Sequence, residues 1–358
     1  MFADVVIPQV PVSPFTYSIP EKLSGWLEVG MRVTVPVKDR KHTGFVIGTQ
    51  PETEVTRIKE IISFKEPVPV IGESFIELVK WVSDYYICGL AECFQAALPS
   101  KLMSLPECYL QLDDKSKLAA SEIPEQFPFE TDIRRIKAGV QSGDYHVSYK
   151  RIRLLKDTEI PDLEIAGQNL APNDSQQAAI DGILHDIGQK SIRNYLLFGV
   201  TGSGKTLVYI EIMRRLLREG RSVLIMVPEI SLTPVMQKRF TDIFGDNVVV
   251  LHSRLTPAQR LRRWERARRG IGKIVLGPRS SVFVPIPNLS LIVVDEEQDH
   301  SYKQESPAPR YNARDVALMR GKIEKVPVIM GSATPSIESF HNAQNGKFEL
   351  LRLPERPG

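Results

Sequence analysis

Tyr195-Leu196-Leu197-Phe198 runs directly into Gly199-Val200-Thr201-Gly202-Ser203-Gly204-Lys205-Thr206, and a segment of helical periodicity over 206–218 follows. The eight residues from Gly199 fit G-x-x-x-x-G-K-[ST], set between an apolar strand and a helix. Each residue type has a chemical reason. Glycines let backbone N–H groups curl around a phosphate at a helix N-terminus. A lysine at position 205 reaches the β- and γ-phosphates, and the Thr206 hydroxyl can ligate Mg²⁺. Gly199, Thr201, Gly202, Ser203, Gly204, Lys205 and Thr206 are therefore the candidate nucleotide-binding residues. The alternative, a glycine-rich turn, explains neither flank.

Outward from this loop, short apolar runs recur at 195–198, 223–227, 248–251, 274–276, 291–294 and 326–330. Amphipathic stretches at 206–218, 231–244 and 257–269 separate most of them. Such alternation predicts an α/β unit, a parallel sheet covered by helices on both faces. The run Leu291-Ile292-Val293-Val294 ends in Asp295-Glu296-Glu297-Gln298. A carboxylate at the end of a buried parallel strand, beside a phosphate loop, can hold Mg²⁺, and its neighbour can orient and polarise water. We assign Asp295 the metal role and Glu296 the base role; with Lys205 they form the candidate catalytic set. Upstream, the Gln176 amide could read an adenine edge or lie on an exposed helix face.

The chain has 358 residues, which at roughly 150 per domain suggests two or three domains. Its net charge of +3 conceals an asymmetry: 19 basic against 24 acidic residues over 1–166, and 27 against 19 over 167–358. A phosphate-rich partner is expected on the second half. Six arginines, Arg260, Arg262, Arg263, Arg266, Arg268 and Arg269, cluster around Trp264 and read equally as a DNA-tracking face or a solvated one. No stretch approaches the ~18 apolar residues of a membrane span. The opening residues lack a signal-peptide pattern, and three cysteines without a C-x-x-C pair argue against a disulfide framework or zinc site, so a cytoplasmic protein is expected.

Over 1–66, β-branched runs punctuated by Pro and Gly predict a small β-rich unit, and Phe75, Leu78, Val79, Val82 and Tyr86 predict a helix over 73–87. The stretch 106–170 reads as a small helical domain or a connector, with one helix near 132–140.

One more motif completes the pattern: Gly331-Ser332-Ala333-Thr334-Pro335 follows the run 326–330. A phosphate loop, an Asp-Glu strand end and Ser-Ala-Thr in one chain resemble superfamily 2 helicases, and more closely the replication-restart helicases of the PriA family. The likeness extends through Val227-Pro228-Glu229, Leu251-His252-Ser253-Arg254, Gly277-Pro278-Arg279-Ser280, Ser301-Tyr302-Lys303-Gln304 and Arg310-Tyr311-Asn312-Ala313-Arg314. It implies a RecA-like P-loop parallel-sheet domain over 171–358, a β-rich 3′-DNA-end-binding domain over 1–105, and a winged-helix or connector over 106–170.

The resemblance further implies that Phe15 and Lys59 line the 3′-end pocket, with Thr16 where the family has Asp. Tyr302, Lys303 and Arg314 fall in or beside the loop that couples DNA contact to ATP turnover, and Gln298 stands where the family has His. ATP and Mg²⁺ are the implied cofactors. The implied partners are DNA (forks, D-loops, single strands), primosome proteins and single-stranded-DNA-binding protein. After Ser336 only 22 residues remain, against about 100–150 for a second lobe, so the chain reads as an N-terminal portion. It is expected to bind ATP and DNA but hydrolyse slowly unless another chain completes the site. The rival readings are a non-catalytic fork- and nucleotide-binding platform and an RNA helicase.

Overall fold

The structure is a computed structural model that describes residues 1–111, 117–127, 129–149 and 171–354. The chain divides into two compact units, Met1–Lys156 and Asp157–Gly358.

In the first unit, β1 (Phe2–Val6), β2 (Phe15–Ser18), β3 (Arg32–Val37), β4 (Arg40–Gln50), β5 (Lys59–Glu60) and β6 (Ser63–Phe64) form one sheet in the order β5-β2-β1-β4-β3-β6. Alternation sets its faces: Ala3, Val5 and Tyr17 point into the core while Asp4 and Thr16 sit opposite one another on the other face. Helix α1 (Glu73–Tyr85) buries Phe75, Leu78, Val79 and Val82 of the expected stripe together with Ile76, while Tyr86 caps its C-terminus half-buried; α2 (Leu90–Ala97) and the short α3 (Ser100–Met103) follow.

The next described residues add β7 (Cys108–Gln111), β8 (Lys117–Ala119), α4 (Ile123–Gln126), α5 (Glu130–Ser142) and β9 (His146–Tyr149), with the strands in an antiparallel sheet ordered β8-β7-β9. The helix expected near 132–140 is α5; the expectation for 150–170 lies outside the described residues. Bonds cross the boundary anticipated after residue 105. Buried Arg32 on β3 pairs with Glu66, and the Tyr149 hydroxyl donates to the same carboxylate at 2.6 Å. The Cys108 N–H donates to the Lys65 carbonyl at 2.9 Å. Removing one member of such a buried pair costs about 3–5 kcal/mol, because the other charge is left without a partner.

The second unit contains α6 (Asp174–Gly188), β10 (Asn194–Gly199), α7 (Lys205–Arg218), β11 (Ser222–Met226), α8 (Pro234–Phe244), β12 (Val248–Val250) and α9 (Pro257–Arg268). It continues with β13 (Ile274–Gly277), β14 (Leu289–Asp295), α10 (Ala313–Glu324), β15 (Val328–Ser332), α11 (Ile337–Gln344) and β16 (Phe348–Leu353). The seven strands form a wholly parallel sheet ordered β12-β13-β11-β14-β15-β10-β16. Tyr195, Leu197, Ile225, Val293 and Ile329 pack on one face against Ile183, Val208, Ile212 and Phe240 of α6, α7 and α8. The alternate residues Leu196, Leu224, Ile292, Val294 and Met330 are equally buried on the other face. Burial on both faces explains why these strands read as continuous apolar runs. All six anticipated strands are present, and β16 is added at the edge.

Candidate nucleotide site and nucleic-acid interface

The strand order brings the motifs to one edge of the second unit. β10, β15 and β14 are neighbours, and their carboxyl ends carry the glycine loop, Ser332 and Asp295. Ligands of open parallel sheets bind outside that edge.

The loop is built for close approach. A Cβ at Gly199 would lie 2.4 Å from Ser203 Oγ and 2.9 Å from Leu353 Cβ, so only glycine fits between β10 and β16. Gly202 (φ +84°) and Gly204 (φ +82°) take the left-handed turn that swings the chain into α7, and nothing lies within 4 Å of a Cβ built at Gly202. Ser203 Oγ is buried without a hydrogen-bond partner. Lys205 is buried and donates to the Gly199 carbonyl at 2.9 Å, so its ammonium is folded over the loop. Thr201 is exposed and Thr206 half-buried on the first turn of α7. Open space, an orphaned hydroxyl and an ammonium at a helix N-terminus fit a phosphate chain.

Gln176 is not on an exposed helix face. It is 1% exposed; its Oε1 accepts from the Asn173 N–H at 2.9 Å, capping α6, and its Nε2 donates to the Ser203 carbonyl at 2.9 Å. One lone pair and one N–H of the amide are thus engaged in capping α6 and bracing the loop.

Asp295 closes β14, in register with Gly331 of β15. The Tyr209 hydroxyl donates to Asp295 Oδ1 at 3.1 Å. Burial, and secondarily the neighbouring Glu296, push the Asp295 carboxyl up to about 6, against the pull of Tyr209 and Lys205. A divalent cation would relieve that penalty, and Asp295 with Thr206 supplies the hard oxygen donors Mg²⁺ requires. Among the described residues, no group of three or more His, Cys, Asp or Glu is arranged for a metal ion.

Glu296 stands at φ +48°, a left-handed conformation uncommon for a residue with a side chain. Gln298 Nε2 donates to Glu296 Oε2 at 2.8 Å, while the Ser332 hydroxyl donates to Gln298 Oε1 at 2.5 Å. The amide thus ties Glu296 to the Ser-Ala-Thr strand end. Glu297 is fully buried. Its carboxylate accepts from Arg314 at 2.9 Å, from the Ser336 N–H at 2.7 Å, and from the Ser336 and Ser339 hydroxyls at 3.0 and 2.9 Å. Arg314 therefore has an internal partner. Tyr302 does too: it is 1% exposed, with its hydroxyl 2.6 Å from the Asp295 carbonyl and 3.1 Å from that of Met226. Lys303 is exposed, with Nζ 2.7 Å from the Arg310 carbonyl, and Arg310 is exposed beside it.

Most of the arginine run is committed. Arg260, Arg263 and Arg266 donate to the carbonyls of His252, Val250 and Asp246, and Arg268 and Arg269 pair with Glu265; Arg262 points outward. Burial, then Arg263, Arg254 and Arg260, hold His252 below the usual histidine range.

In the first unit, half-buried Phe15 and exposed Lys59 lie on adjacent strands β2 and β5, and Lys59 Nζ donates to the Lys38 carbonyl at 2.7 Å. The Thr16 hydroxyl donates to Asp4 Oδ1 at 2.7 Å, which places a carboxylate beside the position where the sequence has Thr.

The sequence assigned no separate role to Tyr209, Glu297, Arg310 and Asp4. Glu297 and Arg310 stand inside quoted motifs, and Tyr209 stands four residues after Lys205, hence on the same helix face.

Residues 4–99 match the PriA 3′DNA-binding domain family and residues 173–343 match the DEAD/DEAH box helicase family. A replication restart protein PriA of Chlamydia pneumoniae is 33% identical over 99% of this chain and 51% of its own length. That of Bacillus subtilis is 30% identical over 96% and 54%. The solved structure of RecG bound to a three-way DNA junction aligns with a TM-score of 0.41 at 24% identity, over 53% of this chain and 25% of its own. The chain spans about half the length of the curated relatives it matches. With a PriA-type DNA-binding domain and a helicase domain in order along one sequence, and PriA relatives aligned over nearly all of it, the chain belongs to the PriA family of replication restart proteins.

Proposed function

We propose that this chain is the DNA-binding and ATP-binding part of an ATP-dependent DNA helicase of replication restart, one that binds stalled forks or D-loops and promotes primosome assembly in the cytoplasm. The supporting observation is the convergence of Lys205, Asp295 and Glu296 on one sheet edge around an open glycine loop. In this reading residues 171–358 are the ATP-binding lobe, 1–105 the 3′-end-binding domain, and 106–170 a winged-helix or connector. No helix among the described residues is long and apolar enough to cross a membrane.

Gly199, Thr201, Gly202, Ser203, Gly204 and Thr206 cradle the phosphates through backbone N–H groups and hydroxyls, and Lys205 leaves the Gly199 carbonyl for the γ-phosphate. Thr206 and Asp295 would hold Mg²⁺, which neutralises charge on the phosphate oxygens when bound. Glu296 orients the attacking water and takes its proton, held in place by Gln298. Gln176 braces the loop. Lys303 and the adjacent Arg310 offer exposed cations to a DNA backbone; Tyr302 and Arg314 act from inside, fixing the segment that carries them. Phe15 and Lys59 contact the DNA 3′ end. Primosome proteins and single-stranded-DNA-binding protein are the partners this reading implies.

A fork- and nucleotide-binding platform without turnover is the second reading, favoured by the internal engagement of Tyr302 and Arg314. ATP hydrolysis by the purified chain, with and without forked DNA and alongside Lys205→Ala, separates them. Turnover that rises with DNA and vanishes in the variant supports the enzyme. Saturable binding of both ligands without turnover supports the platform, and stimulation by RNA alone removes the DNA reading.

A further inference from the structure

Two thiols meet at the joint between α1 and α2. Cys88 precedes Gly89, which opens α2, and Cys93 is the fourth residue of that helix. Their Sγ atoms are 3.2 Å apart. Cys88 is half-buried and Cys93 buried; the third thiol, Cys108, is fully buried on β7. The joint around them is firmly held. The Ser83 hydroxyl donates to the Cys88 carbonyl at 2.6 Å, the Cys88 N–H to the Ser83 carbonyl at 3.0 Å, and the Gly89 N–H to Glu92 Oε2 at 3.1 Å. Ile87, β-branched, sits at φ +50° and is 92% exposed. A left-handed β-branched residue persists only where its surroundings over-determine it. These bonds fix the main chain that carries both thiols, and the side chains bring their sulfurs together. A disulfide needs them about 2.05 Å apart, so closure asks each side chain to move by roughly 0.6 Å.

We propose that Cys88 and Cys93 are a dithiol modification site that closes to an intramolecular disulfide on exposure to a two-electron oxidant of the peroxide class. The Cys88 sulfur, as thiolate, attacks one oxygen of hydrogen peroxide; the O–O bond breaks, Cys88 becomes a sulfenic acid, and the departing hydroxide takes up the thiol proton as water. The Cys93 sulfur then attacks the Cys88 sulfur. The S–O bond breaks, the Cys93 proton leaves with the hydroxide as a second water, and the S–S bond forms. Two thiols lose two electrons and one peroxide gains them.

Exposure selects Cys88 as the first to react, and the Cys93 S–H can stabilise its thiolate. Burial pushes the Cys88 thiol up, with the hydrogen bond from Cys93 pulling down and Glu92 adding to the rise. Burial also pushes Cys93 up, reinforced by Cys88 and Glu92 and offset by Ser83. Both thiols are protonated at neutral pH, so closure is slow there and accelerates with alkalinity.

The test treats the full chain with hydrogen peroxide at pH 7 and pH 8.5, followed by thiol counting under denaturing conditions and mass spectrometry of unreduced peptides. The expected result is a fall from three thiols to one, a mass loss of two hydrogens, a Cys88–Cys93 cross-linked peptide reversed by dithiothreitol, and a several-fold faster reaction at pH 8.5. Cys93→Ser should instead accumulate oxygen on Cys88. Retention of three thiols, a bridge involving Cys108 or a second chain, or Cys88 sulfinic acid in the unmodified sequence without the cross-link would each overturn the proposal.

Discussion

Glu297 offers the sharpest energetic test, because one fully buried carboxylate ties three segments together. It receives Arg314 from α10 and the Ser336 N–H, Ser336 hydroxyl and Ser339 hydroxyl from the start of α11. Glu297→Ala leaves the guanidinium facing a hole and strips the helix cap of its acceptor. Breaking a buried pair costs about 3–5 kcal/mol. Arg314 keeps 19% exposure and can recover some hydration, which favours the lower end, about 3 kcal/mol. For a unit of this size each kcal/mol moves the midpoint by about 2–4 °C, so the transition of the second unit should fall by about 6–12 °C. Calorimetry of the full chain reads this directly. Arg314→Ala should cost less than Glu297→Ala, and the double variant should reveal a coupling of about 1–3 kcal/mol. A Glu297→Ala loss below about 1 kcal/mol, or additive single and double variants, would refute the hub.

Other outcomes follow from the same geometry. Tyr209→Phe removes the hydroxyl that holds the Asp295 carboxyl down, so the carboxyl rises further and more of it is protonated near pH 6. Mg²⁺-dependent binding of a fluorescent ATP analogue should weaken about 2–10-fold at pH 6, the value of one hydrogen bond, and less at pH 8. His252 is held below its unfolded value of about 6.5, so it binds fewer protons folded than unfolded. Stability is thus lost as pH falls through about 6.5, and His252→Gln should flatten the urea midpoint between pH 7 and pH 5. Phe15→Ala and Lys59→Ala should weaken binding of DNA with a free 3′ end, measured by fluorescence anisotropy, while leaving nucleotide affinity unchanged.

The parallel sheet was legible because strands buried on both faces must be apolar throughout, as in Leu291-Ile292-Val293-Val294. The edge strand β16 was not. Phe348-Glu349-Leu350-Leu351-Arg352-Leu353 buries only part of its length, and its charges interrupt the pattern. The helix α10 escaped for a similar reason, carrying Arg314, Asp315, Arg320 and Lys322 within twelve residues. The glycine loop between β10 and α7 was legible because its pattern is local: glycine conformation, one ammonium and one hydroxyl over eight positions. Gln176, Tyr302 and Arg314 show the limit. Their residue types suit a base edge, a stacking surface and a phosphate. Yet each has at least one partner more than ten residues away, Ser203 for Gln176, Met226 for Tyr302 and Glu297 for Arg314, and only tertiary packing names it. The arginine run failed to declare itself because solvated, carbonyl-bound and ion-paired arginines look alike in one dimension.

The most direct test of the account is equilibrium binding of a fluorescent ATP analogue to the purified chain with Mg²⁺, compared between the unmodified sequence and Lys205→Ala. Charged hydrogen bonds to phosphate are worth about 1.5–3 kcal/mol, so binding should be saturable and weaken by about 10–150-fold in the variant. Equal affinity in the two proteins, or no saturable binding to the unmodified chain, would contradict the assignment of the glycine loop as the nucleotide site.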